Sequence, residues 1–207
     1  MSHSAVAAVR RRRFPVLVPT LAVLLGLLVS GCGINNIPTY EEQAKAKWSE
    51  VENQYQRRSD LIPNLVETVK GFAKQEREVL EAVTAARSRA TSIQATPDLV
   101  NNPDAFKKFQ EAQLQLTGAL SRLLAVSERY PDLKSNQNFL ALQAQLEGTE
   151  NRIAVARRDY IDAVRAYNTA LRTFPTVLWA KTAFSSNKPM AEFTANEGAQ
   201  TPPQVKF

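Results

Sequence analysis

Apolar residues recur along most of this chain at alternating steps of three and four. The first stripe consists of Trp48, Val51, Tyr55, Ile62, Leu65, Val69, Phe72, Val79 and Val83. Arg58 and Glu76 fill two gaps in it. A mean step near 3.5 residues puts these side chains on one face of a helix, as in a coiled coil. The pattern predicts a first helix from about Tyr40 to about Gln94.

Two further stripes follow, one from Phe106 to Tyr130 and one from Phe139 to Phe174. Each begins after a residue whose side chain can cap a helix: Asn102 for the second helix, and Ser135 or Asn136 for the third. Each stripe ends at a proline, which cannot continue a helix without breaking its hydrogen bonding. The sequence therefore predicts two more long helices.

A last apolar group at residues 177–184 predicts a short fourth helix. Helices with one apolar face are stable only when those faces bury one another, and short connections make neighbours antiparallel. The expected fold is all-α: an antiparallel up-and-down helical bundle of three long helices plus a short C-terminal one, resembling a four-helix bundle. It would span residues 40–185, followed by an irregular, proline-containing tail over residues 186–207.

Pro63 lies inside the first stripe, where a proline would crowd the preceding turn. The three-four spacing passes through Arg58, Ile62 and Leu65 without a phase shift, which favours a kinked but continuous helix. The alternative is a new helix capped by Asp60. Arg58 falls on the apolar face, so we expect it to be partly buried and paired with a carboxylate on a neighbouring helix. The other interpretation is a contact with an anion or a partner.

The N-terminal residues 1–31 read as a leader, with a basic segment followed by an apolar run from Phe14 to Val29. This run is at the short limit for a membrane-spanning helix and contains Pro15 and Pro19. A signal peptide needs only a short apolar core followed by small residues. A transmembrane anchor remains the alternative.

The sequence Val29–Cys32 resembles a bacterial lipobox, which favours the signal peptide. The resemblance implies cleavage between Gly31 and Cys32 and acylation of the Cys32 thiol and its new α-amine. Several acyl chains on one residue anchor a protein stably to a membrane. Residues 32–39 would then form a tether, and membrane lipid would be a partner through Cys32. Gly33, in place of an aspartate, favours the outer membrane where a bacterium has two.

The charge of the chain does not predict nucleic-acid binding, although the pI is about 9.6. Four of the 26 basic residues are Arg10 to Arg13 in the leader, and no acidic residue precedes Glu41. The remaining 22 basic and 20 acidic residues alternate along helical faces, which is typical of a solvated surface.

Histidine-dependent chemistry is excluded for the mature chain, because its single histidine, His3, and its single cysteine, Cys32, lie at or before the lipobox. Serine–histidine and cysteine–histidine nucleophile systems are therefore ruled out. A di-iron site of the usual kind also needs histidine. We predict no metal site, no cofactor and no enzymatic activity.

The chain resembles the LemA family. The resemblance is carried by three blocks: WSEVENQYQRRSDLIPNLVETVKGFAKQE (Trp48–Glu76), LAVSERYPDLKSNQNFLALQAQLEGTENRIAVARRDY (Leu124–Tyr160) and VRAYNTALRTFP (Val164–Pro175). It implies a helical bundle on the outer side of a bacterial membrane, without established catalytic activity. Many family members use an N-terminal transmembrane helix, from which the lipobox here departs.

Two functional hypotheses follow. The first is a lipid-anchored scaffold or adaptor, facing the periplasm or the cell exterior, that binds envelope proteins through its bundle. The second is an envelope ligand-binding protein with a small polar pocket near Pro63. The candidate residues for a polar seam or binding site are Arg58, Asp60, Asn64 and Asn168.

Overall fold

The computed structural model describes residues 33–194. Its helices are α1 (Asn36–Phe72), α2 (Arg77–Ser92), α3 (Pro103–Ser127), α4 (Pro131–Lys134), α5 (Gln137–Ala170) and α6 (Thr176–Lys181), with a 3₁₀ turn at Leu99–Asn101. The described residues contain no strand, and the predicted all-α class is confirmed. The leader, the lipidation and cleavage positions Gly31 and Cys32, and the last part of the tail lie outside the described residues.

The first apolar stripe contains two helices, where the sequence predicted one. α1 ends at Phe72, the chain turns through residues 73–76, and α2 returns antiparallel to α1. The bundle thus has four long helices. The turn is hard to predict because its residues favour helices and apolar positions continue on both sides. Glu76, which fills a gap in the stripe, accepts hydrogen bonds from Arg129 and Tyr130, just after the C-terminal end of α3.

Pro63 lies in the interior of α1, so the predicted continuity of this helix is confirmed. A proline at this position leaves the carbonyl of Ser59 without its usual backbone donor four residues later. The Nε atom of Arg87, on α2, donates a hydrogen bond to that carbonyl at 2.9 Å. A side chain from the neighbouring helix thus satisfies the carbonyl that Pro63 leaves open.

This arrangement predicts coupling between Pro63 and Arg87. Pro63→Ala should stabilise the protein by about 2 kcal/mol, because an interior proline costs about 3 kcal/mol and the Arg87 bond offsets about 1 kcal/mol. Arg87→Met should lose that bond in the wild type. Arg87→Met should cost little in the Pro63→Ala background, because the backbone N–H restored at position 63 donates a hydrogen bond to the Ser59 carbonyl. The measurement is a double-mutant cycle of urea unfolding. Equal costs of Arg87→Met in both backgrounds would contradict the coupling.

α1 begins four residues earlier than expected, and this shortens the predicted tether. Asn36 to Thr39 are helical, and Pro38 is accommodated because the first turn of a helix needs no backbone donors. Ile37 is fully buried and anchors this turn in the core. The chain therefore reaches the folded bundle within a few residues of Cys32.

The predicted caps of the later helices are present. The Asn102 side chain accepts a hydrogen bond from the backbone N–H of Ala105 at 3.1 Å. Of the two candidates for the next long helix, Asn136 is the cap, and it accepts from the N–H of Phe139 at 3.0 Å. Each satisfies a backbone donor that lacks a partner within the helix.

The C-terminal segment is irregular, as expected, but it packs against the bundle beyond the expected boundary at residue 185. Met190 and Phe193 are buried in the same cluster as Trp48, Phe106 and Tyr160. The Asn168 side chain donates to the Met190 carbonyl at 3.0 Å and accepts from the Met190 N–H at 2.9 Å. The folded unit thus extends at least to residue 194.

Candidate functional site

One side of the helical bundle is open. α5 packs along α1, α1 along α2, and α2 along α3, whereas the backbones of α3 and α5 approach each other closely at few points. The gap between them is the α3–α5 groove, lined by Leu114, Thr117, Ser121 and Leu124 of α3 and by Leu146, Glu147, Glu150 and Arg157 of α5. It has a wide section of about 520 Å³ beside Leu124 and Leu146. A narrower section of about 180 Å³ adjoins it beside Arg58.

Arg58 forms the floor of the narrow section and is only 1% exposed. Its Nη1 atom donates to Glu150 Oε1 at 2.7 Å and to Thr117 Oγ1 at 2.9 Å, and its Nη2 atom donates to Gln113 Oε1 at 2.5 Å. The guanidinium also lies 5.1 Å from the centre of the Tyr55 ring. A guanidinium stays charged even when buried, and these contacts replace part of the water it has lost. Its buried Nε atom has no hydrogen-bond partner among residues 33–194.

The narrow section has a basic character. Arg157 is half-buried at its edge, with the guanidinium 4.3 Å from the centre of the Phe193 ring. Two arginines therefore face the single carboxylate of Glu150. Burial raises the pKa of the Tyr55 phenol, which keeps this hydroxyl neutral. A volume of about 180 Å³ is below the ~300 Å³ typical of drug-sized ligands, so the section suits a carboxylate or another small anion.

The C-terminal segment already fills one end of the open side. The ring of Phe193 lies 4.9 Å from that of Phe106 on α3 and 5.7 Å from that of Tyr160 on α5, measured between centroids. The Tyr160 hydroxyl donates to the Ala191 carbonyl at 2.8 Å, and the Ala191 N–H donates to the Val100 carbonyl at 2.8 Å. An extended segment with one aromatic side chain is thus bound between α3 and α5.

The other predicted site residues do not join Arg58. Asp60 and Asn64 are exposed, and Asp60 accepts a hydrogen bond from Gln56 one turn earlier. Asn168 holds the C-terminal segment, about 27 Å along α5 from Glu150 at 1.5 Å per residue. The prediction of one polar pocket built from Arg58, Asn64 and Asn168 is therefore corrected, because these residues lie on different faces and at different heights.

Sequence reasoning missed the residues that do surround Arg58. Gln113 interrupts the second stripe between Phe109 and Leu116, and Glu150 falls in the gap of the third between Leu146 and Ile153. The first stripe is interrupted at Arg58. Gaps in three apolar stripes thus meet at one level of the bundle, and aligning them was the signal available in the sequence.

Within residues 33–194, no group of three or more histidine, cysteine, aspartate or glutamate side chains is placed to hold a metal ion. In the same range, none of the helices combines the length and the apolar character needed to cross a bilayer.

Comparison with known proteins identifies the family. The LemA family profile matches residues 47–207. The magnetosome proteins MamQ 1 and MamQ 2 of Paramagnetospirillum magneticum are each 28% identical over 187 residues, which cover 83% of this chain and 68% of theirs. MamQ of Magnetospirillum gryphiswaldense is 27% identical over 159 residues, covering 68% of this chain and 58% of its own. The resemblance seen in the sequence is confirmed: the chain belongs to the LemA family.

Proposed function

We propose that this protein is a membrane-anchored, non-catalytic interaction scaffold of the bacterial envelope. It is held to the membrane by acylated Cys32, and it binds a segment of an envelope protein in the α3–α5 groove. The observation that supports this function is the binding of Phe193 at one end of the groove. The open side of the bundle accepts an aromatic side chain from an extended segment there, and the same surface continues beyond it.

The remaining groove has the chemistry of a peptide-binding surface. Leu124 and Leu146 line its wide section, and Leu114 is half-exposed beside the narrow one. Apolar grooves between helices take the apolar face of a partner helix or extended segment. The partner we propose therefore carries spaced apolar side chains, with a carboxylate near Arg157, where the groove is basic.

Membrane anchoring adds to this function because it restricts the partners. A scaffold tethered to a bilayer meets other proteins of the same membrane at a raised effective concentration, so a weak groove contact is sufficient for association. Acylation of Cys32 and a location facing the periplasm or exterior are parts of the same proposal. Alkynyl fatty-acid labelling of the wild type, compared with Cys32→Ser, tests the anchor directly.

The groove is tested by photo-crosslinking of the full-length protein in membranes. A photoreactive residue at Ser121, which is exposed and lines the groove, should give a discrete protein adduct. The same residue at Gln115, exposed on another face of α3, should not. Leu124→Lys should abolish the Ser121 adduct, because a charge would be placed in the apolar section.

Three results would contradict the proposal. They are identical adducts from Ser121 and Gln115, no adduct from Ser121, and an adduct that joins Ser121 to residues 195–207 of the same chain. A variant ending at Thr194 lacks residues 195–207. Loss of the Ser121 adduct in this variant therefore identifies the last case.

A second candidate function is the binding of a small anionic ligand, favoured by the two arginines in the narrow section. A small anion retained by the purified wild-type protein and lost in Arg157→Met would favour this function over the scaffold. This site shares Arg58 with the pocket expected near Pro63, and the hydrogen-bond partners of Arg58 come from α3 and α5.

A further inference from the structure

We propose that the end of the bundle at the α5–α6 junction lies directly on an anionic phospholipid surface. Phe174 and Leu178 project there, 76% and 56% exposed, and they are the most exposed large apolar side chains among residues 33–194. Large apolar side chains this exposed, and close together in sequence, are typical of a surface that binds something. This inference rests on the membrane anchoring in the proposed function and goes beyond it.

The position of the anchor identifies lipid as the occupant. Gly33 packs against the α5–α6 junction: a Cβ atom placed on it would lie 3.3 Å from Thr176 Cγ2 and 3.8 Å from Pro175 Cγ. Its φ of +96° also favours glycine. Cys32 directly precedes Gly33 in the sequence, so acyl chains on Cys32 would be attached one residue from this junction. An acylated Cys32 would therefore keep this end of the bundle nearest to the bilayer.

The charge and the aromatic residue at this end fit an anionic interface. Arg172 and Lys181 are exposed, and neither is in any of the salt bridges found among residues 33–194. Basic side chains beside a bilayer are attracted to anionic headgroups. Trp179, on the same short helix, is half-buried, and tryptophan prefers the boundary between headgroups and acyl chains.

A contact at this end would fix the orientation of the bundle relative to the bilayer. A single lipidated residue permits rotation about the tether, whereas Phe174 and Leu178 in the headgroup layer add a second point of attachment. α1 begins and α5 finishes at this end of the bundle, and the two helices pack antiparallel. The long axes of both helices would therefore extend away from the bilayer. The α3–α5 groove would then be accessible to proteins that extend from the same membrane.

Tryptophan quenching tests the contact in the full-length protein. The chain has two tryptophans, and Trp48 is fully buried, so Trp179 is the residue able to meet lipid. In phosphatidylglycerol-containing vesicles with brominated acyl chains, we expect Trp179 emission to be quenched. Trp179→Phe supplies the Trp48 background. Phe174→Ser with Leu178→Ser should lose most of the quenching while keeping the helical circular-dichroism spectrum, because both side chains are exposed.

Vesicle flotation separates this inference from the proposed function. If the wild type does not float with the vesicles, the anchor is wrong and both proposals fail. If it floats but Trp179 is not quenched, or is quenched equally in the double variant, the contact proposed here is wrong and the anchor stands. Arg172→Gln with Lys181→Gln should reduce quenching in phosphatidylglycerol-containing vesicles but not in pure phosphatidylcholine. Equal effects in the two lipids would overturn the anionic preference.

Discussion

Glu150→Ala is expected to destabilise the bundle by about 3 kcal/mol, more than the loss of Arg58 itself. Removing the carboxylate leaves a buried positive charge without its partner, which costs about 3–5 kcal/mol. Because water in the adjoining cavity can partly solvate this charge, we expect the lower end of that energy range. Arg58→Met instead leaves a carboxylate whose side chain is 40% exposed and therefore reached by water. Its main cost is the unpaired Gln113, about 1–3 kcal/mol.

Urea midpoints of four variants measure this asymmetry: Glu150→Ala, Arg58→Met, the double variant and the control Arg57→Met. Arg57→Met is the matched control for Arg58→Met, because Arg57 is exposed and should change stability by less than about 0.5 kcal/mol. Arg58→Met combined with Glu150→Ala should recover much of the stability lost in Glu150→Ala, since no buried charge remains. If Arg58→Met costs more than Glu150→Ala, the ion pair does not control the stability of this region.

Phe193→Ala should cost about 3–5 kcal/mol, the usual range for deleting a buried aromatic ring. Phe193 is only 7% exposed and packs among Trp48, Phe106 and Tyr160. Phe174→Ala is the control, because it is the same change at an exposed position and should stay within about 0.5 kcal/mol. Thermal or urea unfolding of both variants gives the comparison. A small effect of Phe193→Ala would mean that the C-terminal segment is not part of the folded core.

The fold class could be predicted because its signal is local. A period of 3.5 residues and an asparagine cap identify helices from neighbouring residues alone, and both Asn102 and Asn136 act as expected. The turn after Phe72 could not be found in this way, because residues 73–76 all favour helices. Where that helix ends depends on the packing of α2 back along α1, which is a tertiary effect.

The candidate site was only partly predictable for the same reason. The position of Arg58 on an apolar face indicated burial, but its partners Gln113 and Glu150 come from helices 55 and 92 residues away along the chain. No pattern within one helix shows which polar gaps meet across a bundle. The role of Phe193 was also hidden, since an irregular proline-containing segment carries no periodicity to indicate that one ring is buried.

The continuity of α1 through Pro63 sets the distance between the α3–α5 groove and the membrane-anchored end of the bundle. α1 runs unbroken for 37 residues from the end that carries Gly33, so Arg58 lies about 33 Å from the start of the helix at 1.5 Å per residue. If that end stands on the bilayer, the groove opens at this height, well beyond the lipid headgroups. A partner must then present its binding segment on a stalk or domain of matching reach, which excludes segments that lie flat on the membrane surface.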